Sequence, residues 1–96
     1  MFGDKIKILR ETKGLLQRQL AAELEIDTPM YSKIERGERR AKKEQVLLLV
    51  DLLGTTENDL LSIWLADQIY DLVKNEEFRL ESLKIVEKRL TENRMP

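Results

Sequence analysis

Gln17-Arg18-Gln19-Leu20-Ala21-Ala22-Glu23-Leu24-Glu25-Ile26-Asp27-Thr28-Pro29-Met30-Tyr31-Ser32-Lys33-Ile34-Glu35-Arg36-Gly37 contains two short helical patterns in succession. Leu20, Ala21 and Leu24 fall on one face of a helix running from Gln17 to Leu24. Glu25-Ile26 makes a turn. Asp27 is a good N-cap, and Pro29 sits in the following first turn, where its missing N–H removes a donor that had no intrahelical partner. The second helix therefore starts at Thr28 and ends at Gly37. Ala21 is small where the two helices must cross closely.

The rest of the chain also reads as short helices joined by tight turns. A first helix over about Asp4–Lys13 turns Ile6 and Leu9 inward and ends at Gly14. After a polar, basic loop from Glu38 to Lys43, a fourth helix over Glu44–Leu53 carries Val46, Leu47, Leu49, Val50 and Leu53 and stops at Gly54. Thr56-Glu57-Asn58-Asp59 places a hydroxyl three residues before a carboxylate, close to a capping box, and starts a long fifth helix reaching about Lys74. Leu60, Leu61 and Trp64 close the preceding core, whereas Leu65, Ile69, Leu72 and Val73 form a second stripe. A sixth helix, about Glu76–Thr91, has Leu80, Leu83, Val86 and Leu90 on one side.

Composition excludes several classes of chemistry. The 96 residues include no Cys and no His, so there is no disulfide, no thiol nucleophile, no usual zinc-ligand set and no His-based triad. An enzyme would have only carboxylates such as Glu76-Glu77 or Asp67 with Asp71, which on amphipathic helices read as solvated faces, so no activity and no cofactor or metal is expected. No apolar stretch approaches the roughly 18 residues of a membrane span, and Met1-Phe2-Gly3-Asp4-Lys5 lacks the basic-then-apolar order of a signal peptide. A cytoplasmic location is expected. The net charge of −1 hides an asymmetry: residues 1–43 hold 11 basic and 7 acidic side chains, and residues 44–96 hold 6 and 11. One end is suited to a polyanion.

Two short helices with a three-residue separation have the geometry of a helix-turn-helix unit, whose second helix can enter a major groove. That spacing alone is common. Leu15-Leu16-Gln17-Arg18-Gln19-Leu20-Ala21, then Ile26, then Tyr31-Ser32-Lys33-Ile34-Glu35-Arg36-Gly37, resembles the Cro/CI (XRE-type) helix-turn-helix domain of bacterial and phage regulators. The resemblance covers about Asp4 to Trp64. It implies an all-α, five-helix, lambda-repressor-like domain over residues 1–64, followed by a helical extension over 65–96, and sequence-specific binding of double-stranded DNA without catalysis.

The resemblance also implies roles for particular residues. Gln17, in the first turn of the second helix, corresponds to a phosphate ligand, and Thr28, Pro29, Ser32 and Lys33 on the third helix to readers of base edges. Lys33 could donate to guanine N7 or O6, Ser32 could bond either kind of base, and the Thr28 methyl and Pro29 ring could pack on thymine methyls. Arg36, Arg39, Arg40, Lys42 and Lys43 follow that helix. An ordinary charge run is only a solvated loop, but beside a recognition helix this one is expected to track phosphates, with Arg18 as a weaker candidate. Arg10 and Glu35 form a structural ion pair between the first and third helices in such domains. Three positions depart from the family pattern: Leu16 cannot cap the second helix, Glu25 replaces the usual turn glycine, and Lys42 stands where a small cap is common. Tyr31 replaces a smaller aliphatic core residue, and its hydroxyl needs a partner or water.

Leu65, Ile69, Leu72, Val73, Leu83, Val86 and Leu90 exceed what a 60-residue core needs. They form a homodimer interface, matching palindromic half-sites about 34 Å apart, or let the sixth helix fold back on the fifth, and a mixture of the two with the dimer ahead is expected. The reading is thus a dimeric regulator of transcription, with RNA polymerase or another protein as a further possible partner and no small-molecule ligand domain. The second reading is an antitoxin that binds both DNA and a toxin.

Overall fold

The structure is a computed structural model that describes residues 1–92; positions 93–96, the end of the extension, lie outside the described residues. Six helices follow one another: α1 (Phe2–Thr12), α2 (Gln17–Glu23), α3 (Thr28–Glu35), α4 (Lys43–Leu53), α5 (Glu57–Val73) and α6 (Arg79–Glu92). Among the described residues there is no strand, and no helix is long and apolar enough to cross a membrane.

Local chemistry accounts for the helix ends. Asp27 Oδ1 accepts from the Met30 N–H at 2.7 Å and starts α3, and Thr56 Oγ1 accepts from the Asp59 N–H at 3.0 Å and starts α5. Leu16 and Lys42 make no side-chain cap for α2 and α4. Instead the Gln19 and Gln45 carboxamides reach back to the Leu16 and Lys42 N–H groups at 2.7 and 2.8 Å, which is only the reciprocal half of a capping box. Glu25 carries the turn between α2 and α3 at φ 59°, so the backbone keeps the left-handed geometry without a glycine.

The core is built from Ile6, Leu20, Ala21, Leu24, Tyr31, Ile34, Val46, Leu49, Val50, Leu53 and Leu60, with Trp64 packed against it. Helix α1 crosses α3, α4 and α5, α2 packs on α3, and α4 on α5. Two contacts tie α5 to the start of α1 and to the loop after α3. The Phe2 N–H at the start of α1 donates to Asp67 Oδ2 at 2.9 Å, and Trp64 Nε1 donates to Ala41 O at 2.7 Å. The second bond pins the basic loop, because Ala41 is itself buried within it.

Some expected details are corrected. α1 begins at Phe2 rather than Asp4, since Phe2 joins the core. Leu47 is exposed: Val46, Leu49, Val50 and Leu53 already complete the inward face at i, i+3, i+4 and i+7, and Leu47 lies about 100° away from Val46 around the axis. α6 begins at Arg79, after a turn at 77–78, and the Arg79 guanidinium donates to Glu76 O. Helix α6 buries no side chain, so it does not cover α5. Position 64 lies inside α5, which continues without a break into the extension.

Candidate nucleic-acid interface

Helix α3 is amphipathic across its width. Tyr31, Ile34 and Glu35 face the core, whereas Thr28, Pro29 and Lys33 are exposed and Ser32 is half-buried. The four side chains assigned to base reading therefore line the outward side of one helix, at i, i+1, i+4 and i+5.

A buried carboxylate fixes that helix. Glu35 Oε2 accepts from Arg10 Nε at 2.6 Å and Oε1 from Arg10 Nη2 at 3.1 Å, a bidentate pair. Gln17 Nε2 donates to the same Oε1 at 3.0 Å, and Arg10 Nη1 donates to Leu15 O at 2.9 Å. The Arg10–Glu35 pair thus joins α1, the turn before α2, the start of α2 and the end of α3. Burial pushes the Glu35 carboxyl up, but Arg10, the nearby Tyr31 hydroxyl and Gln17 outweigh it and hold the group below the usual carboxylate range. The Arg10 guanidinium is raised by its bond to Glu35. One of the two amide hydrogens of Gln17 is committed to this hub.

Tyr31 fills the space beside the hub. It is fully buried, its hydroxyl meets no partner in full hydrogen-bond geometry among the described residues, and burial first, then the nearby Glu35 carboxylate, raises its pKa. The larger ring is accommodated as packing, with its polar tip turned toward the Arg10–Glu35 pair.

Gly3 is part of the same junction and was not singled out from sequence. A Cβ there would lie 2.2 Å from Glu35 O and 2.7 Å from Ile34 O. Helix α1 therefore passes against the backbone at the end of α3 with no room for a side chain. The only sequence signal was a glycine near the start of a helix, where it has poor propensity.

The basic residues divide into two groups. Arg18, Lys33, Arg39, Lys42 and Lys43 are exposed and make no ion pair within 4 Å among the described residues. Arg36 is engaged with Glu38, and Arg40 lies 3.8 Å from Asp71 on α5. Leu65, Ile69 and Leu72 of α5, which line one hollow together with Arg40, are 51%, 47% and 78% exposed, too open to be core, while Val73 is half-buried. Leu83, Val86 and Leu90 of α6 are likewise exposed.

Comparison with known proteins agrees with this architecture. Residues 1–62 match the family model described as "Helix-turn-helix domain". Over 62 residues the chain is 37% identical to "Control protein C.MunI" from Mycoplasma sp, a match covering 64% of this chain and 84% of that protein. No solved structure gives a significant match.

Proposed function

Since the chain belongs to the helix-turn-helix domain family, of the Cro/CI type of DNA-binding transcriptional regulator, we propose that it binds a palindromic operator as a homodimer. The observation that carries this reading is the outward row Thr28, Pro29, Ser32 and Lys33 on a helix whose opposite side is locked by the Arg10–Glu35–Gln17 hub. Such a helix can present base-reading groups to a major groove at low cost in ordering. Lys33 and Ser32 supply hydrogen-bonding groups, and Thr28 and Pro29 supply apolar contacts for thymine methyls.

Arg18, Arg39, Arg40, Lys42, Lys43 and the second amide hydrogen of Gln17 would then hold phosphates on either side, giving affinity and register without sequence information. The uncovered stripe Leu65, Ile69 and Leu72 with Val73, together with Leu83, Val86 and Leu90, supports pairing of two copies, because an apolar surface of this extent is seldom left to water. A twofold pair would present two α3 helices to half-sites one helical turn apart, about 34 Å. Occupying a promoter in this way is the physical basis of repression.

Selection of bound duplexes from a random pool, at about physiological salt where non-specific attraction is weakened, tests the reading. A palindromic consensus is expected. No enrichment by a folded preparation would overturn operator binding, and an enriched single half-site with a monomeric protein in sedimentation would overturn the dimer.

A further inference from the structure

Thr28, Ser32 and Arg36 follow one another at i, i+4 and i+8, so Arg36 lies one turn beyond Ser32 on the same face of the recognition helix. Its guanidinium does not hang freely in solvent. Nη1 donates to Ser32 Oγ at 2.5 Å, Nε donates to Glu38 Oε2 at 2.7 Å, and Nη2 reaches Glu38 Oε1 at 3.4 Å. The fork therefore grips Glu38 with one edge and the serine hydroxyl with another N–H.

The backbone makes this arrangement reproducible. Gly37 takes φ +75° and turns the chain back, and the Glu38 N–H donates to Lys33 O at 2.9 Å. Glu38 is thereby returned alongside the last turn of α3, within reach of Arg36. Glu38 holds the Arg36 guanidinium above its usual range, and Arg36 holds the Glu38 carboxyl below its own, so both groups stay ionised near neutral pH.

Two consequences follow from elementary hydrogen-bond chemistry. The Arg36 charge is balanced locally, which weakens it as a counterion for phosphate. The Ser32 hydroxyl, with one donor and two acceptor sites, has an acceptor site occupied by a cation. Accepting from a cation polarises the O–H, making it a stronger donor and a poorer acceptor.

We infer that Arg36 is a positioning residue that sets the Ser32 hydroxyl as a hydrogen-bond donor toward DNA, so that the base facing Ser32 must present an acceptor. Purine N7, guanine O6 and thymine O4 meet that requirement; cytosine, whose major-groove edge offers the N4 amino donor, does not. The inference rests on the reading of Ser32 as a base-contacting residue. Arg36, which sequence grouped with the phosphate ligands, then acts on specificity through its neighbour.

The test repeats the duplex selection with the full chain, Ser32→Ala, Arg36→Met and the double variant, and measures the salt dependence of affinity for the preferred duplex. Thermal unfolding of each variant checks that α3 is intact. Ser32→Ala and Arg36→Met are expected to relax the same single half-site position, at which the unaltered protein excludes cytosine. Each should reduce discrimination there by about two- to tenfold, the value of one hydrogen bond, and the double variant should add nothing to either. The slope of log affinity against log salt should stay unchanged in Arg36→Met.

A slope reduced in magnitude by about 0.9 would show that Arg36 neutralises a phosphate and would overturn the inference. So would relaxation of a different position, which would make Arg36 a reader in its own right, or full retention of the preference. If Ser32→Ala alters no position, the base-reading assignment of Ser32 fails first, and the inference falls with it. Relaxation by Ser32→Ala without relaxation by Arg36→Met leaves that assignment standing and removes only the role given to Arg36.

Discussion

Arg10→Met isolates the buried carboxylate at the centre of the fold. The Glu35 side chain is 2% exposed and that of Arg10 10%, so methionine would replace the guanidinium stem by apolar volume and leave Glu35 with Gln17 as its remaining observed donor. Removing one partner of a buried pair costs about 3–5 kcal/mol, chiefly because the other charge stays buried and uncompensated. Loss of the Arg10 bond to Leu15 O adds about 0.5–1.5 kcal/mol. A domain of this size has only about 5–14 kcal/mol of stability in total. At about 4–8 °C per kcal/mol, Tm should fall by at least about 12 °C.

The pH dependence gives a sharper signature than the loss itself. In the unaltered protein Glu35 lies below its usual range, so its contribution is fully present above the unfolded carboxylate pKa and disappears as pH falls through the lowered folded value. In Arg10→Met burial dominates, and the folded pKa rises above the unfolded one. The native state then binds the proton more tightly, so the variant should gain stability on acidification from about pH 7 to 5, opposite in sign to the Glu35 contribution in the parent. Urea unfolding across that range measures both effects. Arg10→Met/Glu35→Gln, which removes the stranded charge, should recover at least about half of the loss. A deficit below about 1 kcal/mol, the value of an exposed pair, would refute the reasoning, as would a variant whose stability declines with acid in parallel with the parent.

Gly3→Ala places a methyl group 2.2 Å from Glu35 O and must push α1 off α3; a loss of about 3 kcal/mol is expected in chemical denaturation, at the upper end of overpacking effects. Glu25→Gly relieves a non-glycine residue at φ 59°, gaining about 1–2 kcal/mol of strain against about 0.5–1 kcal/mol of added chain entropy. A net rise of about 0.5–1 kcal/mol should appear as a higher urea midpoint with an unchanged m-value. Leu65→Asp/Ile69→Asp alters two exposed side chains, so the monomer should lose less than about 1 kcal/mol, while sedimentation should show dissociation and operator affinity should drop at least tenfold. Dimerisation elsewhere on the surface would leave both sedimentation and affinity unchanged.

The division between what sequence revealed and what it hid follows the range of the interactions. Asp27, Pro29 and Thr56 act within one helical turn, so the starts of α3 and α5 were legible from a few neighbouring residues. The periodicity that placed Leu20, Ala21 and Leu24 inward is equally local. Leu47 misled because a run of five apolar residues, Val46 to Val50, blurs the helical face, and only packing shows which of them turns outward. Gly3 against Glu35 O, Trp64 against Ala41 O, and the third donor from Gln17 join residues 18 to 32 positions apart. No local pattern encodes such contacts, although the family resemblance supplied roles for Arg10 and Glu35.

Arg36 shows the same limit on a surface. Its position in a basic run assigns it to phosphate by composition, yet Glu38, two residues on, and Ser32, one turn back, use the directional N–H groups of its fork. A count of charges treats Arg36, Arg39, Lys42 and Lys43 as equivalent, whereas hydrogen-bond geometry separates the first from the others. If the segment meets DNA as proposed, affinity and specificity become separable on it. On the proposed reading, the unpaired cations would set how strongly backbone phosphates are held and how steeply binding falls with salt, and the paired one would set which hydrogen-bonding character a neighbouring hydroxyl offers to a base.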